Sequence, residues 1–171
     1  MDEPHLYVIT GIMAAGKSTV GQALAQRFER GVHLRGDQFR RAIVSGRREM
    51  APDPEPEALT QLRLRYRLAA TVAEHYLEAG FTTVWQDVIL GSFLSEVVAM
   101  VEHLPVQVVV LAPQADEVAR RERGRAKTGY TSYTPEQLNA GFRRDTPRIG
   151  LWLDTTSLTI EQTVDEILRS A

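Results

Sequence analysis

At 171 residues and 43% hydrophobic, the chain is long enough for one well-filled core and too short to expect two, so a single domain over 1–171 is expected. A formal charge of -2 excludes a global pull toward nucleic acid or anionic lipid, and the lack of cysteine excludes a disulfide framework and thiolate metal sites. The acidic opening MDEPHLYVIT carries no basic leader and the apolar run Val106 to Ala112 is far short of a bilayer span, which points to a soluble cytoplasmic protein.

Strands are expected at His5 to Thr10, Val32 to Arg35, Phe81 to Gln86, Val106 to Ala112 and Ile149 to Leu153, each separated by a helical pattern. Such alternation argues for an α/β fold with a parallel sheet covered on both faces. The helix after Ser18 carries Val20, Leu24 and Phe28 along one face and should stop near Gly31. A short helix over 38–45 is led by Asp37. Gly46 to Pro56 holds three prolines and charges of both signs without periodicity, and reads as a loop. From Glu57 to Ala79 apolar residues recur at helical spacing, with Gly80 as the stop. Ser92 to His103 and the strongly charged Asp116 to Arg125 read as further helices. Thr134-Pro135-Glu136-Gln137 reads as a capping box opening a helix to about Arg143, and Thr159 to Arg169 as an amphipathic closing helix.

The chemistry concentrates at Tyr7 to Thr19. Gly11 and Gly16 bracket four residues, Lys17 and Ser18 follow, an apolar strand precedes and a helix comes after, which is the phosphate-binding loop in its required setting. A loop that turns its amides inward, here including those of Ala14 and Ala15, surrounds a polyphosphate only where side chains do not block approach. Lys17 is expected against the β and γ phosphates, and the Ser18 hydroxyl on the accompanying Mg2+. Thr19 opens the helix proper, whose N-terminal dipole adds to anion binding. The sequence thus predicts binding of ATP with Mg2+.

Three further pieces should gather at the carboxyl edge of the sheet, where ligands bind in open α/β folds. Asp37, in RGDQFRR, is placed to take the proton of an acceptor hydroxyl, although an aspartate there also caps a helix. Arg40, one turn on, is placed to hold a polar or anionic part of the acceptor or to face solvent. Asp87 ends an apolar strand in the manner of a carboxylate that holds Mg2+ or touches substrate. Arg121 and Arg125 share a helix face and in a lid at about 120–135 would close over the phosphates; Glu117, at pairing distance from Arg121, offers a plainer use of that face. Lys127, Tyr130 and Tyr133 are weaker lid candidates. The four histidines lack metal-ligand spacing, and Trp85 and Trp152 read as core.

Four separated segments, GIMAAGKST, RGDQFRR, WQDVILG and GLWLDTTSLTIEQTVDEIL, resemble the chloramphenicol phosphotransferase-like kinases, relatives of shikimate and adenylylsulfate kinases. The resemblance implies a three-layer P-loop fold with a five-stranded parallel sheet in 2-3-1-4-5 order, ATP with Mg2+, and phosphate transfer to a hydroxyl of a small molecule. It implies Asp37 as base, Arg121 and Arg125 as lid arginines, and a loop at Asp154 to Ser157, with Thr155, near adenine. The aspartate-to-arginine spacing in RGDQFR is also similar to that of polynucleotide 5'-kinases. Gly46 to Glu57 matches no antibiotic-binding segment. A metabolite or antibiotic kinase, a nucleotide or polynucleotide 5'-hydroxyl kinase, and a nucleotide-binding regulatory module are therefore the functions in view, the protein being a monomer or homodimer with no membrane partner and, outside the second of these readings, no nucleic-acid partner.

Overall fold

The computed structural model describes residues 3–124 and 135–170. Arg125, Lys127, Tyr130, Tyr133, Thr134 and most of the expected lid lie outside the described residues. Five strands, β1 (Leu6–Thr10), β2 (Gly31–Arg35), β3 (Thr82–Gln86), β4 (Val106–Leu111) and β5 (Leu151–Leu153), form one parallel sheet in the order β2-β3-β1-β4-β5. Every residue of β1 and β3 is buried, as expected of central strands covered on both sides. The expected α/β class, parallel sheet and strand order are all present, in a three-layer arrangement.

Seven helices among the described residues complete it: α1 (Lys17–Ala25), α2 (Asp37–Arg41), α3 (Pro56–Glu78), α4 (Phe93–Val101), α5 (Ala115–Arg123), α6 (Pro135–Asp145) and α7 (Ile160–Arg169). Right-handed crossovers send α1 and α3 to opposite faces, because β1 to β2 and β2 to β3 run in opposite directions across the sheet. On one face α1 packs against α7, on the other α3 packs against α4. Leu24, Val164 and Ile167 are buried in the first layer, Tyr66, Ala69 and Ala73 in the second, with Trp85 of β3 fully enclosed between them. Trp152 lies nearer the edge, stacked on Phe142 at 5.1 Å and capped by the Arg148 guanidinium at 3.9 Å.

Boundaries differ from the sequence pattern in two instructive places. α2 ends at Arg41, four residues before Ser45, because Val44 is 95% exposed and no burial rewards continuing the helix. On α3, Tyr76 is exposed rather than part of the buried stripe, and its ring packs edge-on to Phe81. No helix among the described residues is long and apolar enough to cross a membrane.

The closing helix is fastened at its start. Thr159 accepts from the Gln162 amide at 3.1 Å, and the Gln162 side chain accepts from the Thr159 amide at 2.9 Å, so two orphan donors are satisfied reciprocally. Thr159→Ala should therefore lower unfolding free energy by about 1 kcal/mol in urea titration, with an unchanged m-value.

Candidate active site

The loop between β1 and α1 is shaped by backbone that few side chains tolerate. Gly11, Ala14 and Gly16 have φ of 149°, 63° and 95°. A Cβ on Gly11 would lie 2.5 Å from the Leu111 carbonyl oxygen of β4, so the loop can lie this close to the sheet only without one. Ala14 adopts a left-handed conformation without being glycine, strain of a kind that collects at ligand clamps. Lys17 is 8% exposed and its Nζ donates to the Ile12 carbonyl at 2.7 Å, so its ammonium is curled over the loop it would serve. Ser18 and Thr19 follow on the first turn of α1, where free amides and the helix dipole favour an anion.

Beside the loop lies a cavity of about 540 Å3, within the range of small-molecule sites. Ala15, Gly16 and Thr19 form one wall, Glu117, Arg120 and Arg121 of α5 another, and Thr155 to Thr163 a third. Arg121 joins the three: it donates to the Ala15 carbonyl at 3.2 Å, to the Thr155 carbonyl at 3.0 Å and to Glu117 at 2.6 Å. Hydrogen bonds from Arg120, then Arg121, hold the Glu117 carboxyl down to about 2, so it stays ionised and fixes both guanidinium groups. The helix-face pairing expected as the plainer use of Arg121 is thus present together with its approach to the phosphate loop. Thr155 is 3% exposed and its Oγ1 has no hydrogen-bond partner, a polar atom left over in the cavity wall. Bare backbone at Gly16, an arginine-bearing wall and this orphaned hydroxyl fit a nucleotide with its polyphosphate on the loop. Asp154, expected near the base, is not among the residues that line the cavity. Its carboxylate accepts from the Thr156 amide and hydroxyl and from Gln114, and so braces the loop.

On the other side of β1, α3 closes over the ends of β2 and β3. Asp87 is 1% exposed, and both its oxygens are engaged by the Arg65 guanidinium, with the Val88 amide donating to Oδ1 at 2.7 Å. The neighbouring Tyr66 hydroxyl donates to the Val88 carbonyl at 2.8 Å, and Thr10 brackets Ile89 with two bonds of 2.9 Å. Arg65 therefore stands where the sequence suggested a metal or a substrate against Asp87, because a buried carboxylate needs a charge partner and α3 supplies one. Asp37 lies alongside: Arg65 is 4.0 Å from it, while Arg40 and Arg41 donate to its two oxygens at 2.8 and 2.5 Å. Burial alone would raise the Asp37 carboxyl, but hydrogen bonds and charge from Arg40, then Arg41, hold it below the usual carboxylate range. Asp37 is ionised at neutral pH and faces the edge of the sheet with a third of its side chain exposed.

Of the residues singled out from sequence, the structure gathers Gly11, Ala14, Ala15, Gly16, Lys17, Ser18, Thr19, Arg121 and Thr155 on the nucleotide side, and Asp37, Arg40 and Asp87 on the other. Arg125 lies outside the described residues. Among the described residues, no group of three or more His, Asp or Glu side chains is placed to hold a metal. Mg2+ at a phosphate needs no such cage, since one or two protein oxygens, substrate and water complete its shell. Sequence reasoning missed Arg65. The helical stripe through Leu62, Tyr66 and Ala69 identified the buried face of α3, and Arg65, beside Tyr66, borders it near the strand ends; the signal was a charged residue at the margin of an apolar stripe.

The strand order, the glycine-bracketed loop and the lysine folded over it define a P-loop protein. The chain belongs to the AAA domain family, whose model matches residues 6–146. No curated protein matches the sequence. Among solved structures, the tunicamycin resistance protein of Deinococcus radiodurans is similar with a TM-score of 0.70 at 16% identity, covering 98% of this chain and 95% of that one. A sugar kinase from Janibacter sp. HTCC2649 gives 0.67 at 18% identity, covering 99% and 94%. Shikimate kinase from Bacteroides thetaiotaomicron gives 0.61 at 16%, covering 97% of each chain. At such identities the likeness is one of fold.

Gly36 is a sharp test of the side built around Asp87. A Cβ there would overlap the Asp87 carboxylate, so Gly36→Ala must displace either β3 or the Arg65 pair. The expected cost is about 1–3 kcal/mol of stability, read by thermal or denaturant unfolding. Nucleotide affinity should stay near that of the parent, because neither Gly36 nor Asp87 lines the cavity beside the phosphate loop.

Proposed function

We propose that this protein is an ATP-dependent phosphotransferase that moves the γ-phosphate to a hydroxyl of a small molecule. The single observation that carries the reading is an ionised carboxylate, Asp37, on the same sheet edge as a phosphate-binding loop, with arginines at both. The family membership and the kinases of the same fold support phosphotransfer in general, and the sequence likeness to chloramphenicol phosphotransferase-like kinases supports a small acceptor.

In this reading the loop amides and Lys17 hold the β and γ phosphates, and α1 adds its N-terminal dipole. Ser18 would hold Mg2+, whose charge offsets that of the phosphates as the bridging oxygen departs. Thr155 and its loop flank the base. Arg121 keeps the cavity walls together and sets positive charge beside Gly16, where a Cβ would be 3.6 Å from its Nη1. The acceptor oxygen forms a bond to the γ phosphorus, the bond from that phosphorus to the bridging oxygen breaks, and ADP leaves. Asp37 orients the hydroxyl and takes its proton late, as suits a loose transition state in which the oxygen becomes acidic only after bonding to phosphorus. Its lowered pKa makes it a weak base but keeps it charged and ready to accept a hydrogen bond. Asp87 acts through Arg65, which it anchors beside Asp37. A nucleotide or polynucleotide 5'-hydroxyl kinase is the second reading, favoured by the 2.8 Å contact between Arg40 and Asp37.

The test is a screen of hydroxylated compounds, including nucleosides and a 5'-hydroxyl oligonucleotide, for an ATP-dependent mass gain of one phosphoryl group. Lys17→Ala should lower turnover by roughly 10²–10³-fold. Asp37→Asn should leave ATP affinity within about twofold and lower transfer by roughly 10²–10⁴-fold. Full transfer by the Asn variant would remove Asp37 as the proton acceptor.

A further inference from the structure

Four arginines cluster where α2 gives way to the loop before α3: Arg40, Arg41, Arg47 and Arg48. One carboxylate joins two of them. Glu49 accepts from Arg40 Nη1 through both oxygens, at 2.5 and 2.7 Å, and Arg47 Nε lies 3.1 Å from its Oε1. Two guanidinium groups on one small oxyanion is the pattern by which proteins recognise phosphate and carboxylate ligands. Here the oxyanion belongs to the chain itself.

The frame around Glu49 is tied to the long helix, whereas Glu49 is held through side-chain ion pairs. Gln61 of α3 donates to the Gly46 carbonyl at 3.0 Å and accepts from the Arg48 amide at 2.8 Å, so the backbone on both sides of Arg47 is pinned to the long helix. Arg40 is held from behind by its Nε bond to Asp37, which leaves the Nη edge to Glu49. Glu49 itself is 58% exposed and can swing into water about its own side-chain torsions without moving the loop. Removing its charge leaves four arginines opposed by Asp37 and by Glu55, the latter 3.5 Å from Arg48, an excess of two positive charges. A dianion balances that excess where a single carboxylate does not.

Resting on the phosphotransfer reading for what the ligand then undergoes, we propose that Arg40 and Arg47 form an anion site for a small alcohol that already carries a phosphate monoester. Glu49 is its built-in plug, displaced when that phosphate arrives. Arg40 would then link the two ends of the acceptor, phosphate on its Nη edge and reactive hydroxyl at Asp37 beside its Nε, so the two groups of the ligand must lie about one guanidinium apart. Neutral alcohols gain nothing from this site and leave the plug in place.

The probe is inorganic phosphate, titrated calorimetrically into full-length protein whose phosphate loop is already saturated with Mg2+ and a non-hydrolysable ATP analogue. A partly exposed ion pair of this kind holds its place with a strength of about two- to fivefold in an equilibrium constant, so Glu49→Gln should tighten phosphate binding by about that factor. Adding Arg47→Gln to that variant should reverse the gain. Unchanged or weaker phosphate affinity in Glu49→Gln overturns the proposal, as does a gain that survives Arg47→Gln. Because Glu49 is exposed, equal thermal midpoints for parent and variant would confirm that the comparison is between folded proteins. In a parallel assay, glycerol 3-phosphate and glycerol are offered as acceptors with ATP. A Glu49→Gln preference shifted toward the phosphorylated alcohol supports the site, and a preference unmoved by the substitution counts against it. If neither compound nor any other alcohol is phosphorylated while the phosphate titrations behave as expected, the anion site stands and the transfer reading falls.

Discussion

The buried pair between Asp87 and Arg65 is the constraint around which the α2–α3 side of this protein, the proposed acceptor side, is assembled. A carboxylate enclosed at the end of β3 cannot remain charged without a partner, and breaking such a pair by removing one member typically costs about 3–5 kcal/mol. That requirement fixes α3, since Arg65 must reach Asp87 while Tyr66, on the next position, reaches the Val88 carbonyl. It also fixes the turn into α2, because the carboxylate fills the space that a side chain at position 36 would need. Asp37, the next residue, is thereby held beside Arg65 with its own oxygens turned to the arginines of α2. The position of the proposed base thus follows from the ion pair next to it.

Arg121 has the corresponding place on the nucleotide side. One guanidinium binds a carbonyl of the phosphate loop and a carbonyl of the loop after β5, and Glu117 aims it. Only arginine presents enough donors in a rigid plane to hold three acceptors at once; a lysine would be a point charge. The chain has just two lysines, and the one in the phosphate loop is where a compact, mobile ammonium suits a polyphosphate.

Much of this was legible in the sequence because it rests on local signals. The glycines around Lys17, the alternation of apolar strands with helical stripes, and the amphipathic helix that opens near Thr159 each depend on neighbours within a turn or two, and each is present in the structure. Strand order came from resemblance, since periodicity alone carries no information on which strands lie side by side. What the pattern could not provide were partners distant in sequence. Asp87 reads from sequence as a ligand-binding carboxylate, and nothing local announces its partner Arg65, 22 positions earlier. Asp154 reads from sequence as a base contact, and its bond to Gln114, 40 positions away, carries no local signal. Glu49 sits in a proline-rich stretch with no periodicity, and only its three-dimensional neighbours give it meaning.

The strand order has a consequence for how such a protein can diversify. Most of what is proposed to meet the acceptor hangs from β2 and β3 and most of what encloses the nucleotide cavity from β1, β4 and β5, while α1, whose first turns line the cavity, packs across β2 and β3 and ties the two halves together. β2 and β3 are therefore constrained by α1, whereas α2, the arginine-rich loop and α3 line no part of that cavity, so that a lineage exchanging those three segments would acquire a new clientele without moving the helix that carries the phosphate loop.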